Sequence, residues 1–156
     1  MSDLNSFFQF ETDFVESLRC IPMQVRYKLD TCGIKLKLEH WHRFTAAERT
    51  ALVTEPCETE AEIANYGDRL QTLVIQQTEA PAKELPIDPH PPWLQTETVP
   101  ATVQAQAHTF DINISIEAWQ QLTSLQRFAL CKLSRPSHEN RNFLPALREF
   151  GLTDNF

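Results

Sequence analysis

A stretch of this chain occurs twice. Ile21 to Leu52 and Val99 to Leu130 align when the sequence is shifted by 78 positions. Ten of the 32 aligned pairs are identical: Pro22/Pro100, Val25/Val103, Thr31/Thr109, Ile34/Ile112, Glu39/Glu117, Trp41/Trp119, Thr45/Thr123, Arg49/Arg127, Ala51/Ala129 and Leu52/Leu130. The apolar differences are mild, as in Leu36/Ile114, Leu38/Ile116 and Phe44/Leu122. An internal repeat limits the fold more than any other sequence feature. Two copies are too few for an open solenoid, so the sequence predicts a fused pseudo-dimer with pseudo-two-fold symmetry.

The expected fold class is mainly α, with two tandem helical repeats in one domain over 1–156. Repeat 1 is placed at 21–78, a Pro-rich crossover at 80–98 and repeat 2 at 99–151. Pro22 opens a helix whose apolar positions, Ile21, Val25 and Leu29, fall four apart, and Gly33 suits its left-handed end. Residues 34–38 and 112–116 alternate apolar and polar, which predicts short extended segments; a pseudo-two-fold between the copies would let them pair as a small antiparallel ribbon. Such a ribbon is marginal alone and needs helices against it. Trp41 and Trp119 follow on short helices and belong to the core. Thr45 with Glu48, Thr123 with Gln126 and Thr59 with Glu62 each match the capping box, in which the Thr hydroxyl and the acid or amide bond each other's backbone N–H. Ile63, Tyr66, Leu70 and Leu73 step by three and four and predict the longest helix, running to about Gln77. Phe143, Leu147 and Phe150 make a last helix ended by Gly151, with Pro145 in its first turn.

The first twenty residues carry Phe7, Phe8, Phe10 and Phe14, expected to pack on the first repeat. Thr12 or Asp13 is expected to cap a short helix there, with Glu16 in its first turn. Between the repeats, Ala80 to Pro100 holds six of the ten prolines. That segment is expected to be extended and without regular secondary structure, tacked down by Leu85, Ile87, Trp93 and Leu94.

The net charge of −7 argues against a nucleic-acid partner, which needs clustered Lys and Arg. No run of apolar residues is long enough to span a bilayer, and the N-terminus lacks the basic start and apolar core of a signal peptide. A cytoplasmic protein is expected. Cys20, Cys32, Cys57 and Cys131 contain no CxxC spacing and are expected to be reduced thiols, not zinc or iron–sulfur ligands. With three glycines the chain cannot write a phosphate-binding loop, and no cofactor or metal is expected.

Chemistry is expected where the copies differ. Repeat 2 carries Ser134-Arg135-Pro136-Ser137-His138-Glu139-Asn140-Arg141-Asn142 where repeat 1 has an acidic helix start. Such a cluster either binds an anion or forms a capping and salt-bridge network. Arg26 and Lys28 are replaced by Gln104 and Gln106. They are either a solvated face or a basic strip for an acidic partner.

The stretches at 10–41 and 119–150, through ESLRCIP, VR and KLD in the first and LQRFAL, KLSRP, HEN, NF and PAL in the second, resemble the nitrate-reductase-associated protein family, known mainly from cyanobacteria. The family pattern has glycine where this chain has Ser137, so that turn is built differently. The resemblance implies a non-enzymatic accessory or maturation factor, chaperone-like, that supports assimilatory nitrate reductase, a molybdopterin and iron–sulfur enzyme. It implies binding to nitrate reductase or to a molybdenum-cofactor protein. No catalytic residue is implied. The motif positions Arg19, Cys20, Arg26, Lys28, Arg135, His138, Glu139, Asn140 and Arg141 become candidate partner contacts. The alternatives are a small-molecule or anion-binding protein of nitrate assimilation, or a general helical interaction module.

Overall fold

The computed structural model describes residues 7–12, 18, 20–136 and 138–153, with the side chains of His138 and Glu139 left aside. The chain is mainly α and divides into two compact units, Met1–Ile87 and Asp88–Phe156.

In the first unit, a single turn of 3-10 helix at Gln9–Glu11 precedes α1 (Met23–Cys32), β1 (Ile34–Lys35), α2 (Leu38–Arg43), α3 (Ala46–Thr54), α4 (Glu60–Thr78) and β2 (Lys83–Glu84). Pro22 is the N-cap of α1, and its side chain has no acceptor to offer the first N–H groups. Glu11 supplies one: its Oε1 accepts from the Met23 N–H at 3.2 Å, and the residue is buried. A carboxylate is favoured at a helix N-terminus by the dipole. Gly33 ends α1 in the left-handed region at φ 74. The capping boxes at Thr45 and Thr59 are both closed, with Glu48 and Glu62 bonding back. Along α4, Tyr66, Leu70, Leu73 and Val74 face inward onto Val25, Leu29, Trp41 and Leu52.

The second unit begins with a 3-10 turn at Pro92–Leu94. It continues through α5 (Ala101–His108), α6 (Ile116–Gln121), α7 (Ser124–Leu133), a 3-10 turn at His138–Asn142 and α8 (Phe143–Glu149). Its buried residues include Val103, Ala107, Trp119, Phe128, Leu130, Phe143 and Leu147. The Thr123–Gln126 box caps α7. Trp41 and Trp119 are both fully buried. At roughly 200 Å² of ring and about 25 cal/mol/Å², each contributes about 5 kcal/mol before entropy is counted. Each indole N–H also has an acceptor: Leu18 O at 2.7 Å for Trp41 and Gln95 O at 2.9 Å for Trp119.

Three expectations are corrected. Residues 34–35 do not pair with 112–116. They pair antiparallel with 83–84, Ile34 opposite Glu84 and Lys35 opposite Lys83. The extended segments are also shorter than 34–38 and 112–116, because Leu38 and Ile116 are already the first residues of helices. Ser115 caps the second of these through Ala118 N, and residues 112–115 carry no ladder. A side-chain clamp takes the ladder's place there: Gln104 donates to Ile114 O at 2.8 Å and accepts from Ile114 N at 2.9 Å. Finally, the crossover is not free of regular structure. It holds β2 and the 92–94 turn, and Gln71 clamps Ala82 at 3.0 and 2.8 Å.

Phe8 and Phe10 stack at 5.3 Å, and Phe7 packs against the first unit's core. The Thr12 hydroxyl donates to Gln9 O. Asp13, Phe14 and Glu16 lie outside the described residues.

Candidate functional site

Arg26 and Lys28 both lie on α1, half-buried. The Lys28 ammonium donates to Val53 O at 2.7 Å and Glu55 O at 2.6 Å, and sits 5.6 Å from the centre of the Tyr66 ring. Those carbonyls lie at the C-terminal end of α3, where orphan acceptors and the helix dipole favour a cation. The Tyr66 hydroxyl closes the same helix end by donating to Leu52 O at 2.7 Å. Lys28 is thus tied down by the fold. At the corresponding place of the second unit, the Gln106 amide donates to Asn140 Oδ1 at 3.0 Å. The Lys28-to-Gln106 difference between the copies therefore reflects different acceptors as well as different charge. Cys20 is half-buried, and Arg19 lies outside the described residues.

In the second unit the turn after α7 is braced by Asn140. Its Nδ2 donates to Leu133 O at 3.0 Å and Arg135 O at 3.2 Å, while its Oδ1 accepts from Gln106. Ser134 Oγ donates to Cys131 O at 2.9 Å. Asn140 is therefore a bracket between α5 and the turn. His138 and Glu139 contribute backbone to the 3-10 turn 138–142, and their side chains lie outside the described set. Arg135 and Arg141 stand on this braced turn with exposed side chains. Among the described side chains at the positions expected to contact a partner, these two guanidiniums are the most open. Rigid backbone with exposed guanidinium groups suits bidentate recognition of carboxylates or other oxyanions.

Three of the thiols, Cys32, Cys57 and Cys131, are poor nucleophiles. Burial pushes Cys32 up to about 12, with Cys57 adding to the shift. Burial pushes Cys131 up to about 11, opposed by Arg135 and Lys132. Cys57 is also raised by burial, against the pull of Lys28. Such thiols stay protonated near neutral pH, and the thiolate is the reactive form. All four cysteines are free. Among the described residues, no three His, Cys, Asp or Glu side chains gather as a metal site. No described helix is long and apolar enough to cross a membrane.

Two residues escaped the sequence reading. Glu11 caps α1 across a gap of 11 residues, for which no spacing rule exists. Arg127 is buried at 8% exposure and donates to Trp93 O at 2.7 Å, Leu122 O at 2.6 Å and Trp119 O at 3.4 Å. Arg49 likewise bonds main-chain carbonyls in the first unit, to Trp41 O, the counterpart of Trp119 O, and to Leu18 O and His42 O. The identity of the two arginines between the copies was the available signal.

Comparison with curated proteins and with solved structures gave no match. A family model does match, over residues 7–150, and its description is a conserved nitrate reductase-associated protein. That span includes the ESLRCIP, KLSRP and HEN segments from which the resemblance was read, and the chain belongs to the nitrate reductase-associated protein family.

Proposed function

We propose that this protein is a non-catalytic accessory factor that supports maturation of assimilatory nitrate reductase by binding the reductase or a molybdenum-cofactor delivery protein. The observation that carries this reading is the family match over nearly the whole chain, whose description names association with the reductase. Two further features agree with it. The thiols of Cys32, Cys57 and Cys131 are held protonated, which disfavours nucleophilic chemistry at them. Arg135 and Arg141 project from a hydrogen-bonded turn, a geometry suited to docking. The acting compartment under this reading is the cytoplasm. The two repeats serve as scaffold, and the contact is made where the copies differ.

The test is a pull-down of tagged protein from cells grown on nitrate. Recovery of a nitrate reductase subunit or a molybdenum-cofactor protein is expected, and its reduction by joint Arg135→Ala and Arg141→Ala substitution. Recovery of neither partner overturns the proposal. A second reading, an oxyanion held by the same two arginines, predicts thermal stabilisation by nitrate or a pterin phosphate at saturating concentration.

A further inference from the structure

β1 and β2 place two lysines in register. Lys35 is directly opposite Lys83 in the antiparallel pair, and both are exposed. Directly paired residues have their Cβ atoms roughly 5 Å apart on the same face, and like charges in that relation are destabilising. Neighbouring residues alternate between faces, so Ile34 and Glu84 lie on the other side. Among the described residues, neither ammonium has an ion-pair or hydrogen-bond partner. Lys37, also exposed, extends the positive charge toward the start of α2. The chain as a whole carries −7, so Lys35 and Lys83 on the ribbon, with Lys37 just beyond it, run against its average charge.

Exposed apolar residues lie close in sequence to these lysines. Leu38, next to Lys37, is 48% exposed, and Ile87 is 59% exposed. Ile87 lies against Gly33, immediately before the ribbon: a Cβ built at Gly33 would stand 2.8 Å from its Cγ1. Folding does not require this arrangement. At the repeat-equivalent positions of the second copy, Asn113 and Ser115 replace Lys35 and Lys37.

We infer that the outer face of the β1–β2 ribbon docks an acidic, leucine-containing segment of a partner protein, with Lys35, Lys83 and Lys37 meeting its carboxylates and Leu38 and Ile87 its apolar side chains. Charge complementarity selects this occupant. A polynucleotide would bring a dense line of charge against a molecule that is itself anionic, whereas a short acidic segment meets only the local patch. The ribbon belongs to the first unit and the Arg135–Arg141 turn to the second. Such docking deepens the accessory reading by giving the partner's chemistry, and depends on that reading only for the partner's name.

Fluorescence anisotropy tests it on the full chain at low ionic strength. The probe is a fluorescein-labelled synthetic peptide rich in Glu with interspersed Leu; controls are the same peptide with Gln for Glu and a labelled single-stranded oligonucleotide. Binding of the Glu peptide alone is expected, weakened about tenfold by joint Lys35→Glu and Lys83→Glu substitution and by moderate salt. Arg148→Glu, exposed on the last helix, should leave it unchanged. The single change Lys83→Glu turns a like-charged cross-strand pair into an opposite one, so its Tm should equal or exceed the parent's while binding falls. Absence of Glu-peptide binding, equal weakening by Arg148→Glu, or preference for the oligonucleotide overturns the inference. Because no reductase enters the assay, its failure is distinguishable from failure of the pull-down.

Discussion

Arg127 is a cation held almost entirely by main-chain carbonyls. Its three acceptors come from the 92–94 turn, from within α6 and from the residue that ends α6, so one side chain ties the turn to the end of that helix. Replacement by methionine keeps much of the volume and removes every donor. An unsatisfied buried carbonyl costs about 1–3 kcal/mol, and relaxation toward water will recover part of the total. Arg127→Met should therefore lose about 3 kcal/mol in urea denaturation. Arg49→Met should lose less, because Arg49 is only half-buried and water can reach its acceptors. Equal losses would mean that burial does not set the difference. Gly33 and Gly151 allow a similar comparison, since both have φ 74. A Cβ at Gly151 meets nothing within 4 Å, whereas one at Gly33 meets Ile87 Cγ1 at 2.8 Å and the Leu85 carbonyl at 2.9 Å. The left-handed conformation alone costs an alanine about 1 kcal/mol. Gly151→Ala should show that loss. Gly33→Ala should lose more than about 2 kcal/mol, because the Leu85 carbonyl is backbone, and its N–H is bound to Gly33 O at 2.7 Å.

At the scale of the element, α2 and α6 occupy the same repeat position and start differently. Ser115 caps α6 with its hydroxyl, while α2 begins after Lys37, whose side chain has no acceptor. His40 bonds back instead, its Nδ1 accepting from the Lys37 N–H at 3.2 Å. That bond requires an unprotonated Nδ1. Partial burial first, then the Lys37 charge, lowers the imidazole below its usual 6.5. The sign follows from linkage. A histidine depressed in the fold contributes stability that is present above its unfolded pKa and is lost as pH falls through the folded one. The Tm of the parent should thus decline as pH is lowered from about 7 toward 5. His40→Gln keeps an acceptor at the same helix position without a titrating group. It should flatten the His40 share of that decline, and histidine NMR should place the parent's His40 below 6.5. An unchanged pH profile in His40→Gln would exclude this cap as the cause.

Across the whole molecule, the two units differ in how far the sequence revealed them. The three Thr capping boxes, the buried tryptophans and the helix ends at Gly33 and Gly151 were legible, because each depends on residues within a few positions of one another. The partner of β1 was not. Alternation marks a strand but carries no information about what lies 48 residues away, and Lys83–Glu84 has no strand pattern of its own. The roles of Lys28 and Asn140 were hidden for the same reason, since their acceptors belong to other segments and carbonyls leave no trace in composition. The boundary between the units follows the same logic. Repeat 2 reads from Val99, yet Trp119 and Arg127 reach back to the carbonyls of Gln95 and Trp93, and the Trp93 ring packs edge-on against Phe128 at 4.9 Å. Residues 88–98 therefore complete the second unit's core, although no repeat match covers them. Removing them exposes one face of Phe128 and leaves the Trp119 indole N–H and the Arg127 Nε–H without their acceptors. Each unmatched buried donor costs about 1–3 kcal/mol, and a small unit has little stability to lose. A fragment of residues 88–156 should show more helix by circular dichroism, and slower amide exchange in α7, than one of residues 99–156. Equal helicity in the two fragments would place the unit boundary at the start of the repeat instead.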